Sequence, residues 1–358
     1  MDTMRVIQKS DDNFIKFNDV ESVLIHGDKS KIKQPFITIA IPTYRRHILL
    51  KEAIDSALNQ LNPNCEYEVI IVDNEVSYGV VTETEKLIKG YSNNKLLYYR
   101  NSDNIGMAGN WNRCFELARG KWVAFLHDDD LLVNDYLFKV SKLLDKKKKI
   151  GALVSSFEII GENNRTKKDS KLERVTKKLF VRFGKNKLMR IRPLDTKIWN
   201  SNIYGPPTCG ALFYKDYALK QGGFDEDNFP SLDWFFLFNF NKKYKVYKPL
   251  DKLGFYRVID NESLNPKTLR AFVKDAADFR EINRKSYLIG KLMFKFFKYE
   301  QHAVIIDWVM DLGKSSELKA EEFNNLCKYK IRPILLSLYK RAFRIYWIIK
   351  RIMAMIFG

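Results

Sequence analysis

Three consecutive carboxylates, Asp128, Asp129 and Asp130, follow almost directly on an uncharged apolar run in the stretch WVAFLHDDDLL. Adjacent acids at the end of a buried strand repel one another and lose hydration, so a cation or a polar ligand is needed to hold them there. Hard oxygen ligands in so short a run favour magnesium, manganese or calcium over zinc. The alternative is a solvated acidic turn that caps a helix from about Asn134 to Leu144, because Asp is a common cap and turn residue. The choice depends on whether other polar residues are brought to the same place.

The elements around the triplet supply that test. From Phe36, FITIAIPTYRR reads as a short apolar strand ended by Pro42, with a helix expected from about Ile48 to Gln60. YEVIIVD is a second strand ending in Asp73, followed by a helix around Val80 to Lys89. KLLYYRN is a third, and NIGMAGNWNRCFELARG a helix opened by small residues and closed by Gly120. The triplet ends the fourth strand. Strands alternating with helices, each strand mostly apolar, argue for a parallel sheet with helices on both faces. Ligands of such sheets sit beyond the carboxyl ends of the strands. Pro42 and Thr43, Asp73 and Asn74, and Asp128 to Asp130 should therefore gather along one edge.

Beyond the triplet, IGALVSSFEII is expected as one further strand, and the stretch from Arg165 to Arg192 as a loop or hairpin insertion. GPPTCGALFYKD reads as a turn and a strand, SLDWFFLFNFNKK as a helix, and KVYKPLDKLGFYRV as a hairpin-like strand pair. After about Pro266 the pattern is helical only: Lys267 to Arg284, Ile289 to Tyr299, Ala303 to Leu312, Glu317 to Lys328 and Pro333 to Phe357. In the last, Leu335, Leu338, Ala342, Ile345, Ile349, Ile352 and Ile356 recur at three- and four-residue steps, with Lys340, Arg341, Arg344 and Arg351 on the other side. That pattern suits a helix docked on its own domain or one lying on an anionic bilayer. The absence of acids and the Tyr346–Trp347 pair favour the bilayer.

With 358 residues, 46% hydrophobic and 14% aromatic, the chain can build a sizeable core. The four cysteines, Cys65, Cys114, Cys209 and Cys327, form no CxxC or Cys/His ligand cluster, which suits a reducing compartment and argues against structural zinc. No window approaches the roughly 20 apolar residues of a membrane span, and the first thirty-five residues hold no apolar run of signal length. The net charge of +19 is concentrated: residues 165–192 carry twelve basic and two acidic residues, and residues 328–358 eight basic and none acidic. The rest is nearly neutral, which points to anionic partners at two places and away from a general nucleic-acid binder.

These motifs, in this order over residues 36 to about 265, resemble glycosyltransferase family 2, the inverting sugar transferases of the GT-A fold. The resemblance implies a Rossmann-like, mostly parallel central sheet flanked by helices, with a C-terminal all-helical extension. It implies that Pro42, Thr43 and Tyr44 contact the nucleotide, that Asp73 binds the base, and that Asn104, Gly106 and Asn112, at the start of the following helix, bind the donor nucleotide. Asn74 departs from the family's usual acid. FLHDDD is similar to the family's metal and nucleotide motif, with His127 in place of its first acid. By that match Asp128 faces the ribose and Asp129 holds Mg2+ or Mn2+, with Asp130 a second ligand or an orienting neighbour. GGFDEDNFPSLDWF is similar to a later block, which makes Asp233 the general base, although Leu232 replaces the first acid of its pair; Asp225 belongs to the turn. Trp234 would stack on an acceptor sugar or belong to the core, and Arg257 would contact the diphosphate. Asp233 also reads as a first-turn carboxylate stabilised by the helix dipole.

The expectation is an irregular leader over residues 1–35, a GT-A domain over 36–265 with a basic insertion at 160–205, and a helical region over 266–358. The enzyme would move a sugar from a nucleotide donor, most simply a UDP-sugar, to a glycan or polyprenyl-diphosphate-linked acceptor. It would do so in the cytoplasm, peripherally at the inner membrane face. A nucleotidyltransferase is the main rival, but PTYRRHILL has no glycine for the phosphate loop expected there. A non-enzymatic basic binder of membrane or nucleic acid would leave the acids at three strand ends unexplained.

Overall fold

The computed structural model describes residues 12–146, 149–161, 183, 187–199, 209–258, 262–286, 288–312, 318–323 and 331–357. They fall into two units: a sheet unit of residues 12–191 and 209–258, and a helical unit of residues 192–199 and 262–356.

In the sheet unit, β2 (Ile37–Thr43), β3 (Tyr67–Asp73), β4 (Leu96–Asn101) and β5 (Trp122–Leu126) are parallel, in the order β4-β3-β2-β5. Every residue of β2, β3 and β5 is buried, which is why these strands read as continuous rather than alternating apolar runs. Helices α1 (His47–Leu58), α2 (Glu83–Lys89) and α3 (Gly106–Leu117) connect them. Helix α1 turns Leu50, Ala53, Ile54 and Ala57 to the core at helical spacing. The acids then sit on the turn before α4 (Tyr136–Lys146).

The far half of the sheet is mixed. Strand β10 (Cys209–Tyr214) runs antiparallel to β5 and is followed by β7 (Ala152–Leu153), β11 (Val246–Pro249) and β9 (Leu188–Ile191). Between β10 and β11 the chain forms α6 (Lys215–Gln221) and α7 (Leu232–Lys243), the latter buried on most sides by Leu232, Trp234 to Phe238 and Phe240.

Three expectations change. Part of the leader is ordered as β1 (Ser22–His26), which pairs antiparallel with β4 and closes that edge of the sheet. Residues 150–160 are not one strand: β7 belongs to the main sheet, and β8 (Phe157–Ile160) to a second sheet of order β6-β12-β8. The latter contains β6 (Leu131–Leu132) and β12 (Gly254–Arg257). The same division means that β11 and β12 are not a hairpin, since they lie in different sheets. Two buried serines mark the break, with Ser156 Oγ donating to the Pro249 carbonyl at 2.6 Å and its own carbonyl accepting from Leu253 N–H at 2.7 Å.

The helical unit comprises α5 (Pro193–Trp199), α8 (Pro266–Ser286), α9 (Leu288–Leu312) and α10 (Pro333–Phe357) among the described residues. Leu269, Val273, Ile306, Val309, Leu318 and Phe323 form its core. The two helices expected at 289–299 and 303–312 meet within α9 at a break in helical geometry at Phe297 (φ −127°, ψ 19°), earlier in the chain than expected. Of the helix expected at 317–328, a short 3-10 turn, Ala320–Phe323, is described, and the rest lies outside the described residues. Most of the basic stretch 165–192 lies outside them too.

Candidate active site at the carboxyl ends of the strands

A tight turn, closed by Asp130 N–H donating to the His127 carbonyl at 3.2 Å, carries the chain from β5 into β6 and turns the three carboxylates inward. All three are buried. Strand β12 passes alongside, and only glycine allows the approach: a Cβ on Gly254 would lie 2.8 Å from both the Cys209 Sγ and the Leu131 carbonyl oxygen. Its end delivers Arg257, whose N–H donates to Asp130 Oδ1 (2.8 Å) and whose Nε donates to the Asp129 carbonyl (2.9 Å). From β2, Thr43 Oγ1 donates to Asp128 Oδ2 at 2.7 Å. Arg46, just before α1, sets its Nη1 2.8 Å from Asp129 Oδ2 and 3.5 Å from Asp128 Oδ1.

Burial and the neighbouring Asp129 charge push the Asp128 carboxyl up to about 7, against the opposing pull of Arg46, Thr43 and the Tyr44 N–H. The same two causes hold Asp130 well above the usual carboxylate range. Burial lowers His127 to about 4, so its imidazole is neutral and able to act as a ligand. Oδ2 of Asp130 is buried and meets no N–H or O–H donor among the described residues, with the Cys209 thiol beside it. One ligand atom from each of His127, Asp129 and Asp130 can be chosen so that all lie within 4.8 Å of one another. Two carboxylates and a neutral imidazole fit a divalent cation, with manganese accepting the nitrogen more readily than magnesium does.

Beside the acids, Asp73 pairs in register with Thr43. Asp73 is fully buried and accepts from Tyr98 Oη (2.8 Å) and Glu75 N–H (2.9 Å), and desolvation raises it to about 6. Asn74 binds the strand ends together. Its Nδ2 donates to Asn104 Oδ1 (2.6 Å) and to the Gly106 carbonyl (3.2 Å), and its Oδ1 accepts from Asn101 Nδ2 (3.0 Å) and Ile105 N–H (3.1 Å). Asn110 extends the network to the Val72 carbonyl (3.0 Å). Gly106 opens α3 at φ +68°, where a side chain would be strained.

Thr43, Asp128, Asp129, Asp130 and Arg257 are thus brought together, with Asp73, Asn74, Asn104 and Gly106 along the same strand ends. Pro42 is buried within β2, and Tyr44 offers its N–H to Asp128 while its ring lies exposed beside Arg45. Asn112 stands apart: its Nδ2 donates to the Phe224 carbonyl (2.8 Å) and its Oδ1 accepts Phe224 N–H (2.7 Å), so its amide anchors that turn. Trp234 is 5% exposed and stacked on Phe235, a core position that offers little surface to a sugar. Asp233 lies in the first turn of α7, accepts Trp234 N–H at 2.7 Å, and is raised by burial to about 6.

Arg46, Tyr98, Asn101 and Asn110 were not singled out from the sequence. Their partners lie up to 83 residues away, as for Arg46 and Asp129, and no local spacing marks them. Arg46 alone carried a signal, a cation three residues past the β2 end.

The sheet order and its flanking helices define a GT-A-like α/β fold. The sequence model for glycosyl transferase family 2 matches residues 38–220, and the chain belongs to that family of enzymes, which transfer glycosyl groups. An uncharacterized glycosyltransferase of Methanocaldococcus jannaschii is 26% identical over 223 residues, 56% of this chain and 75% of that protein. The GalNAc(5)-diNAcBac-PP-undecaprenol beta-1,3-glucosyltransferase of Campylobacter jejuni is 24% identical over 283 residues, 73% of this chain and 88% of that protein. Among solved structures, the mannosyltransferase of Pyrobaculum calidifontis in complex with GDP-Man and Mn2+ superposes with a TM-score of 0.51 at 14% identity. That superposition covers 91% of this chain and 88% of the other, a likeness of fold.

Proposed function

We propose that the protein is an inverting, divalent-metal-dependent glycosyltransferase that moves a sugar from a nucleotide-sugar donor, most simply a UDP-sugar, to a hydroxyl of a glycan or lipid-linked glycan in surface polysaccharide synthesis. The observation that carries this reading is the convergence of His127, Asp129 and Asp130 at the strand ends, beside Thr43 and Asp73. The glucosyltransferase named for an undecaprenol-linked oligosaccharide supports the acceptor class.

Asp73 takes the base, Asp128 the ribose, and the Thr43–Tyr44 backbone the flank of the nucleotide. The Asn74 network, through Asn104 and Gly106, fixes the helix start against which the nucleotide lies. Asp129 and Asp130, with His127 beside them, hold Mg2+ or Mn2+. When bound, the cation offsets the charge that grows on the nucleoside diphosphate as it leaves. Arg257 and Arg46 bring guanidinium groups to the same charge. Asp233 accepts the proton of the acceptor hydroxyl while its oxygen bonds to the anomeric carbon and the bond to the diphosphate breaks on the opposite face, which inverts the configuration. A carboxylate raised to about 6 is largely ionised at pH 7 yet more basic than an ordinary Asp.

A panel of UDP-, GDP- and dTDP-sugars assayed for nucleoside diphosphate release with Mn2+, Mg2+ or chelator tests this. Release from at least one donor is expected with a metal and at least about a hundredfold less with chelator. Release from no donor, or an unchanged rate in chelator, sinks the metal-dependent reading.

A further inference from the structure

The apolar stripe of α10 is not the face by which that helix docks. Tyr339 and Ala354 are buried, and the Tyr339 ring lies 5.5 Å from Phe297 of α9. The Tyr346 hydroxyl and the Lys350 ammonium both bind Asp195 of α5. Lys340 pairs with Asp307 at 2.9 Å, and Arg332, just before the helix, pairs with buried Glu300 at 2.8 Å. These contacts use one side of α10. On another side Ile334, Leu338, Ile345, Ile349, Ile352 and Ile356 are 40% to 77% exposed.

Six large aliphatic side chains along one ordered helix make an uncovered surface of the kind that marks an interaction site. The neighbouring helix carries a second such row. Leu288, Leu292 and Phe296 of α9 are exposed at four-residue steps, interleaved with exposed Lys291 and Lys295. The two rows belong to adjoining parts of the helical unit, because the Phe296 carbonyl accepts a hydrogen bond from Arg332 at 2.6 Å.

Charge identifies the occupant. Residues 328–358 carry no acid, and exposed Arg341 flanks the stripe. Asp195, Glu300 and Asp307 each hold a cation of this segment on its docked side. A second copy of the chain seated on this face would bring like charges together, whereas an anionic lipid surface would complement them. No helix among the described residues is long and apolar enough to cross a membrane. A helix of this kind lies in the interface plane instead.

We infer that the exposed isoleucine row of α10, aided by the Leu288–Phe296 row of α9, seats the helical unit on an anionic bilayer. This inference is independent of the reading of the active site. It separates two roles within one helix: the tyrosine and lysine side anchors α10 to its own unit, and the isoleucine side enters the lipid headgroup region.

Co-sedimentation of the full chain with vesicles of phosphatidylcholine alone, or mixed with phosphatidylglycerol, tests it. Binding to the mixed vesicles is expected, on the order of tenfold weaker without the anionic lipid or at high salt. Ile345→Ser combined with Ile349→Ser should weaken it by on the order of tenfold or more, and Arg341→Glu by several-fold, about as one basic residue contributes near such a surface. Both variants should melt like the parent, since these side chains are exposed. Unchanged binding by the isoleucine variant overturns the proposal. So does a parent that ignores vesicles and forms a concentration-dependent dimer dissolved by the same substitution, which would assign the face to a second copy.

Discussion

At the residue scale, the protein holds several carboxylates in surroundings that oppose their charge. Asp233 is the one whose titration the reaction should report. Its pKa is raised to about 6 by burial, so the proposed base is protonated below that value and ionised above it. The turnover rate should therefore climb as pH rises through about 6 and level off by neutrality. Asp233→Asn should flatten that limb and lower kcat by about a thousandfold or more while leaving donor KM within about a few-fold. Retained turnover in that variant would move the base elsewhere.

At the element scale, the site depends on how three strand ends and one helix start are fastened together. Asn74 makes four side-chain hydrogen bonds there, to Asn104, the Gly106 carbonyl, Asn101 and the Ile105 N–H. Asn74→Ala should cost about 2–4 kcal/mol in denaturant unfolding, because it leaves buried polar partners unmatched as well as removing bonds. It should also raise donor KM if the loosened junction flanks the nucleotide as proposed. Asn74→Asp retains the two bonds accepted at Oδ1 and loses those donated by Nδ2, so its stability should fall between the two. An amide can donate and accept at once, as this crossing of elements requires.

At the scale of the whole molecule, buried acid makes stability dependent on pH and, through the proposed metal site, on a divalent cation. Asp73 and Asp128 are raised to about 6 and about 7, above the value of an exposed Asp. Between the unfolded and folded pKa values the native state binds more protons than the unfolded one, so stability falls as pH rises through this range. The metal-free protein should thus melt at a lower temperature at pH 8 than at pH 5. Mn2+ at about a hundred times its Kd should contribute roughly 2.7 kcal/mol, read as a rise of roughly 3–5 °C at pH 8. The rise should be smaller at pH 5, where protonated carboxyls compete with the ion. Equal shifts at both values would count against the acids as its ligands.

Much of this molecule is legible in its sequence because the relevant signals are local. Continuous apolar runs at 37–43, 67–73 and 122–126 define buried parallel strands, since such strands have no solvent face to alternate with. The rule that ligands meet strand ends then selects Thr43, Asp73 and Asp128 to Asp130. What the sequence leaves open is set by partners distant along the chain. The short segments 150–160 and 246–257 are divided between two sheets by pairings that no periodicity encodes. Asn112 and Trp234 sit in motifs of the right composition, yet one is bound to a backbone 112 residues away and the other is sealed by its neighbour's ring. Arg46 becomes a site residue only when β2 and β5 lie side by side. For α10 the sequence determined an apolar stripe and a basic excess. Only the tertiary structure decided which side the rest of the protein would cover, because Asp195, Glu300 and Asp307 came to the tyrosine and lysine side and left the isoleucines exposed.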